Sequence, residues 1–224
     1  MPERRTRRTK GTERTQGTQE RDKATELSGL TNNIAGFIPV HGGYQDLHSF
    51  QKARIVYDGT VRFCDRFIDK RSRTNDQMIQ AARSGKQNIL EGSQASGTSK
   101  EMEIKLTNVA RASLEELLED YRDYLRVRGK EEWGREHSHT RRLRELNRQP
   151  NPSYETFKKG IEHADPVIAA NVMIGLIKVT NFLLDQQLRR LEKDFLNEGG
   201  LRERMTRARL ASRAQQQRRG PHGS

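Results

Sequence analysis

The run from Asp165 to Gly200 constrains the fold more than any other part of this chain. Asp165 offers a carboxylate to free helix amides. Pro166 follows at the first helical position, where its missing N–H costs nothing. The next stretch, VIAANVMIGLIKVTNFLL, is apolar on almost every side. A helix of that pattern is buried on most of its faces, so other elements must surround it. Asn171, Lys178 and Asn181 interrupt it, which favours a core helix over a membrane span. Leu188, Leu191 and Phe195 then leave one apolar stripe, and Gly199-Gly200 ends the helix near Asn197.

Three more helices are expected upstream. Over residues 46–68 the apolar positions Leu47, Phe50, Ala53, Tyr57, Val61, Cys64 and Ile68 recur at steps of three or four, the period of one helix face. A second helix is expected over 76–90, with Met78, Ala82, Gly85 and Ile89 on one stripe and small neighbours that allow close approach. Gly92 and Gly97 then bracket a polar turn, and Thr98 with Glu101 fits a capping box. The third helix, 99–127, carries the stripe Met102, Leu106, Val109, Ser113, Leu117, Tyr121 and Tyr124. Ala110, Leu114, Leu118 and Leu125 widen it, and Gly129 stops it. A polar insertion, 130–165, precedes the fourth helix, with a short helix expected from Tyr154 to His163. Strand-type alternation is absent. The expected fold is all-α: an antiparallel up-down four-helix bundle over residues 41–200, with that insertion between its third and fourth helices. Apolar residues beyond one stripe on the third and fourth helices point to a homo-oligomer.

Charge is distributed unevenly. The 224-residue chain carries a formal net charge of +12. Residues 1–23 hold eight Lys/Arg against four Asp/Glu, and residues 201–224 hold seven Arg against one Glu. The remainder is nearly neutral. Residues 1–40 read as a disordered basic arm, because they bury too little to offset their ordering entropy. Residues 201–224 read as a basic tail that prolongs the fourth helix and then frays. Basic arms suit nucleic-acid contacts, or simple solubility. The amino terminus has no apolar core of the secretory type. The single cysteine, Cys64, rules out an internal disulfide framework and a cysteine-built zinc site, and it suggests a reducing cytoplasm. It lies on the apolar stripe of the first helix and reads as a buried structural thiol.

No catalytic constellation emerges: there is no P-loop, no GxGxxG and no GxSxG. No Glu-x-x-His pair lies on the core helices, as a di-metal bundle would need. Glu136-His137-Ser138-His139 is the only local cluster with metal-binding residue types, and it reads as a solvated loop. The expectation is a protein without catalytic, metal or cofactor sites. The basic residues are more informative. Arg62, Arg66, Lys70, Arg71 and Arg73 gather at the end of the first helix and its turn, and Arg83 and Lys86 follow on the second. Such a cluster can contact phosphates without reading sequence. Charge balance against Asp65, Asp69 and Asp76 is the other reading.

The segment Asp76 to Gly92 resembles the second helix of the bacterial four-helix bundle protein family. Asn88, Ile89, Glu91 and Gly92 match its Asn-Ile-Ala-Glu-Gly, with Leu90 in place of Ala. Ser99-Lys-Glu101, Ala112 to Leu117 and Tyr44 to Ala53 are similar to other parts of the pattern. That family includes proteins encoded in 23S rRNA intervening sequences and the Avd accessory proteins of diversity-generating retroelements. The variant with four helix bundle suffix domains is the most similar. The resemblance implies a homopentameric barrel and a non-enzymatic adaptor that binds RNA or DNA and a reverse transcriptase. Asn88 and Glu91 are then expected to lock the turn between the second and third helices. The alternative is a protein-interaction scaffold without direct nucleic-acid contact.

Overall fold

The computed structural model describes residues 42–218. The expected N-terminal arm, 1–40, and the last residues of the tail lie outside them. Every regular element among the described residues is helical. After a short 3-10 turn at Tyr44–Asp46 come α1 (His48–Phe67), α2 (Arg73–Ala95), α3 (Lys100–Arg126), α4 (Ser138–Asn147), α5 (Tyr154–Ile161), α6 (Pro166–Glu198) and α7 (Leu201–Arg218). The long helices pack in a cycle: α1 on α2, α2 on α3, α3 on α6 and α6 on α1. The insertion helices α4 and α5 lie against α6, and α5 also touches α1.

α6 forms as its sequence dictates. The Asp165 carboxylate accepts from the Val167 amide at 2.8 Å, and Pro166 occupies the first turn. Gly199, at φ +73°, ends the helix in the left-handed region that favours glycine. By length and composition α6 holds a window of 18 residues apolar enough to cross a membrane, although most of that window is buried inside the protein. The three polar interruptions each have a partner. Asn171 Oδ1 accepts from the Trp133 amide at 2.7 Å, and Asn181 donates to Glu115 Oε1 at 2.9 Å. Lys178 pairs with Glu132, which Arg122 also holds at 2.9 Å. The bonds of buried Asn171 and Asn181 offset part of the cost of burying their amides, although Asn181 Oδ1 has no partner among the described residues. Together with the exposed Lys178 pair they fix the register of α6 against α3 and residues 131–133.

The buried faces of α1 and α3 differ from the expected stripes. On α3, Met102 and Val109 are exposed, each at 46%. The buried face runs through Thr107, Ala110, Leu114, Leu117, Leu118, Tyr121, Tyr124 and Leu125. The helix is wedged between α2 and α6, so its buried arc is centred on the residues that seemed only to widen the stripe. On α1 the buried face takes in Gly59, Thr60 and Phe63. Thr60 is tolerated there because its hydroxyl accepts from Tyr121 at 3.2 Å. Phe63 lies 4.9 Å from the rings of both Tyr121 and Tyr124. Cys64 is buried as expected, and burial, helped by the Asp120 charge, pushes its thiol pKa up to about 12.

The helix ends also depart from expectation. α2 starts at Arg73, capped by Ser72, and runs through Gly92 to Ala95 rather than stopping at residue 90. Gly92 lies inside α2 where it crosses α3, not in a turn: an added Cβ would be in ordinary contact with the Glu103 carbonyl oxygen at 3.4 Å. Ser99, not Thr98, caps α3, accepting from the Met102 amide at 3.1 Å. Thr98 instead donates back to the Ala95 carbonyl at 3.3 Å. The tail does not prolong α6: Gly199-Gly200 breaks the chain, and α7 is a separate helix. The insertion contains a second, unexpected helix, α4. Its Leu143 packs so closely on Gly175 of α6 that an added Cβ would meet Leu143 Cδ2 at 2.2 Å.

Lys52 of α1 anchors the insertion. It is only 7% exposed, its Nζ donates to Asn147 Oδ1 at 2.6 Å, and it lies 4.5 Å over the Phe157 ring. Burial lowers its pKa to about 8.

Candidate nucleic-acid interface

The turn after α1 is shaped by its own side chains. The Arg71 amide donates to Asp69 Oδ1 at 2.9 Å, and Ser72 accepts from the Thr74 amide at 3.2 Å. This local bonding projects the basic residues of the turn into solvent.

The seven expected contact residues lie in different surroundings. Arg62 faces α5 and pairs with Glu162 at 3.6 Å. Arg66 folds over the ring of Phe67, 4.7 Å from its centroid. Lys70 pairs with Asp65 at 2.9 Å, and that hydrogen bond holds the Asp65 carboxyl below its usual range. Lys86 lies 4.4 Å over the Tyr57 ring. Arg73 borders a cleft of about 770 Å³ between α2 and α3, shared with Asp76, Glu116 and Asp120. Burial raises the Asp120 carboxyl, and its neighbours Asp123 and Glu116 add to the shift. Arg71 and Arg83 are exposed, and neither is in an ion pair among the described residues. Several of the seven cations therefore balance nearby carboxylates or lie over rings, while Arg71 and Arg83 face solvent.

The turn expected to be locked by Asn88 and Glu91 is held differently. Asn88 donates to the Ser84 carbonyl oxygen at 2.9 Å and to its hydroxyl at 3.1 Å. Ser84 in turn bonds Ser113 of α3 at 2.9 Å. The pair thus ties mid-α2 to mid-α3, and Glu91 is exposed. The Glu136–His139 segment is likewise structural. His137 Nδ1 accepts from the His139 amide at 3.3 Å, capping α4, and its ring stacks on Trp133 at 4.7 Å. Among the described residues no cluster of three metal-ligating side chains occurs.

A more strongly basic surface lies on α7, which carries six arginines and one glutamate in 18 residues. Arg207 turns back to donate to the Glu198 carbonyl, and Arg204 reaches the Gly97 carbonyl at 3.5 Å. Arg202, Arg209 and Arg213 are exposed. Spaced by seven and four residues, they lie along one helix face, a row of about 16 Å. The signal was present in the sequence as this spacing. A reading of the segment as a fraying tail assigned it charge without a face.

No protein-family model, curated protein or solved structure matches the chain.

Proposed function

We propose that this protein is a non-enzymatic nucleic-acid-binding adaptor, an antiparallel up-down four-helix bundle that binds RNA through phosphate contacts. The observation that carries this reading is the exposed arginine face of α7, Arg202, Arg209 and Arg213, mounted on a body of nearly neutral charge. A row of guanidiniums supplies strong, sequence-independent affinity that falls steeply with salt. The cyclic packing of α1, α2, α3 and α6 supports the bundle assignment. Exposed Met102 and Val109 on α3 and Phe182 on α6 support association of several copies, which the adaptor reading takes to be a ring, a homopentamer. The buried lone thiol of Cys64 suits a reducing cytoplasm.

Fluorescence anisotropy with a labelled RNA hairpin across a salt series tests the reading. Reversing Arg202, Arg209 and Arg213 to Glu should weaken binding on the order of a hundredfold at low salt. It should also lower the log–log salt slope by about three. Reversing Arg66 and Arg73 should cost less, because one lies over a ring and the other faces carboxylates. Unchanged affinity and slope in the α7 variant would remove α7 from the interface.

The same exposed apolar residues favour the second reading, a protein-interaction scaffold. Comparing the full chain with a chain ending at Gly200 separates the two. RNA binding that falls with residues 201–224 supports the adaptor. A full chain that binds no RNA hairpin but retains a protein partner supports the scaffold.

A further inference from the structure

The insertion folds back on α1, and the seam between them holds two adjoining cavities. The first, of about 580 Å³, is bordered by Gln51, Arg54 and Asp58 of α1 and by Ser153 and Tyr154 at the start of α5. The second, of about 460 Å³, is bordered by Tyr57, Asp58 and Arg62 of α1 and by Tyr154 and Glu162. Tyr154 and Asp58 line both. The Tyr154 ring packs partly on the core, and its hydroxyl donates to Glu162 Oε1 at 3.0 Å. Ser153 and Thr156 cap α5 reciprocally and fix where that helix begins. Asn151, at φ +48°, turns the preceding loop towards α1.

The chemistry of this seam is specific. An anchored aromatic ring stands between two guanidiniums, Arg54 at one cavity, which Glu155 also lines, and Arg62, paired with Glu162, at the other. Lys86 adds a third cation over Tyr57. Partial burial raises the pKa of the exposed Asp58 carboxyl beside the ring, while Lys86 and Arg54 oppose that shift. Neither Asp58 nor Arg54 is in an ion pair within 4 Å among the described residues. Single-stranded nucleic acids are held by bases stacked on aromatic rings, with cations on the flanking phosphates. A carboxylate at the base edge accepts from an exocyclic amino group, which uracil lacks.

We propose that the α1–α5 seam binds one unstacked, amino-bearing base of a single strand. Tyr154 is the stacking platform, Asp58 the base-edge acceptor, and Arg54 and Arg62 hold the adjacent phosphates. This rests on the nucleic-acid-binding reading and adds to it a preference for single strands containing the amino-bearing bases A, C or G over uracil.

The test uses the full chain and fluorescein-labelled decamers of rA, rC and rU at fixed salt. The wild-type protein is expected to bind rA and rC about tenfold more tightly than rU. Tyr154→Leu should erase that advantage, weakening rA and rC binding most and leaving the residual affinity carried by α7. Tyr154→Phe, which keeps the ring, should retain it. Asp58→Asn, an exposed and nearly isosteric change, should narrow the preference even if the leucine variant fails to fold. Equal binding of the three decamers, insensitive to Tyr154 and Asp58 but lost with the α7 arginines, overturns the seam and leaves the adaptor standing. Binding of no decamer and no RNA hairpin overturns both.

Discussion

α6 and α7 are consecutive helices separated by two glycines, and they obey opposite rules. The first half of α6, Pro166 to Leu184, is apolar nearly all round, and Ala169, Met173, Leu176, Ile177 and Leu184 are almost fully buried. Its few polar groups reach partners on α3 and residues 131–133. α7 has an arginine or a small polar residue on nearly every side, and its Leu210 stands 59% exposed. One helix holds the fold together by excluding water. The other presents charge and contributes little packing. The lesson is that net charge and core stability are separable in this chain. The +12 describes its arms, not its body.

The largest expected effect is at the core. Leu176→Ala in α6 should lower unfolding stability by about 2–5 kcal/mol, measured by urea denaturation, because a buried side chain leaves a cavity. Leu210→Ala in α7 should change it by less than about 0.5 kcal/mol, as expected for an exposed position. Equal losses from the two would break the contrast between the helices.

A smaller effect concerns Lys52, the buried amine between α1 and the insertion. Its pKa is lowered from 10.5 to about 8 in the folded protein. Between those values the unfolded chain binds more protons, so stability rises as pH climbs through 8. From pH 7 to 9 the gain attributable to this group is about 1 kcal/mol. Lys52→Met should remove that increment. A variant with the same pH dependence as the wild-type protein would show that the amine is solvated in the folded state.

Much of α6 was legible in the sequence, because its cap, its proline and its glycine stop act locally and its apolar run has no other use. The face of α3 was less legible. Met102 and Val109 are as apolar as the residues that are buried, and only the positions of α2 and α6 decide which arc faces inwards. α4 has just two large apolar residues, Leu143 and Leu146, and its place comes from the Leu143–Gly175 contact, which no periodicity reveals. The spatial spread of the basic cluster was hidden in another way. Arg62, Arg73 and Lys86 are near in sequence, yet they face α5, the α2–α3 cleft and the Tyr57 ring respectively. The seam at Tyr154 was invisible because its two walls are about 100 residues apart in the chain.

The separation of charge from packing is tested most directly by one comparison. It sets the salt dependence of RNA-hairpin binding by the whole protein against that of a chain ending at Gly200. The account predicts an unaltered unfolding transition in the shorter chain, with affinity falling on the order of a hundredfold or more at low salt. The log–log slope should be shallower by at least about three. A shorter chain that binds with the same affinity and the same slope would contradict it and move the interface onto the helical body.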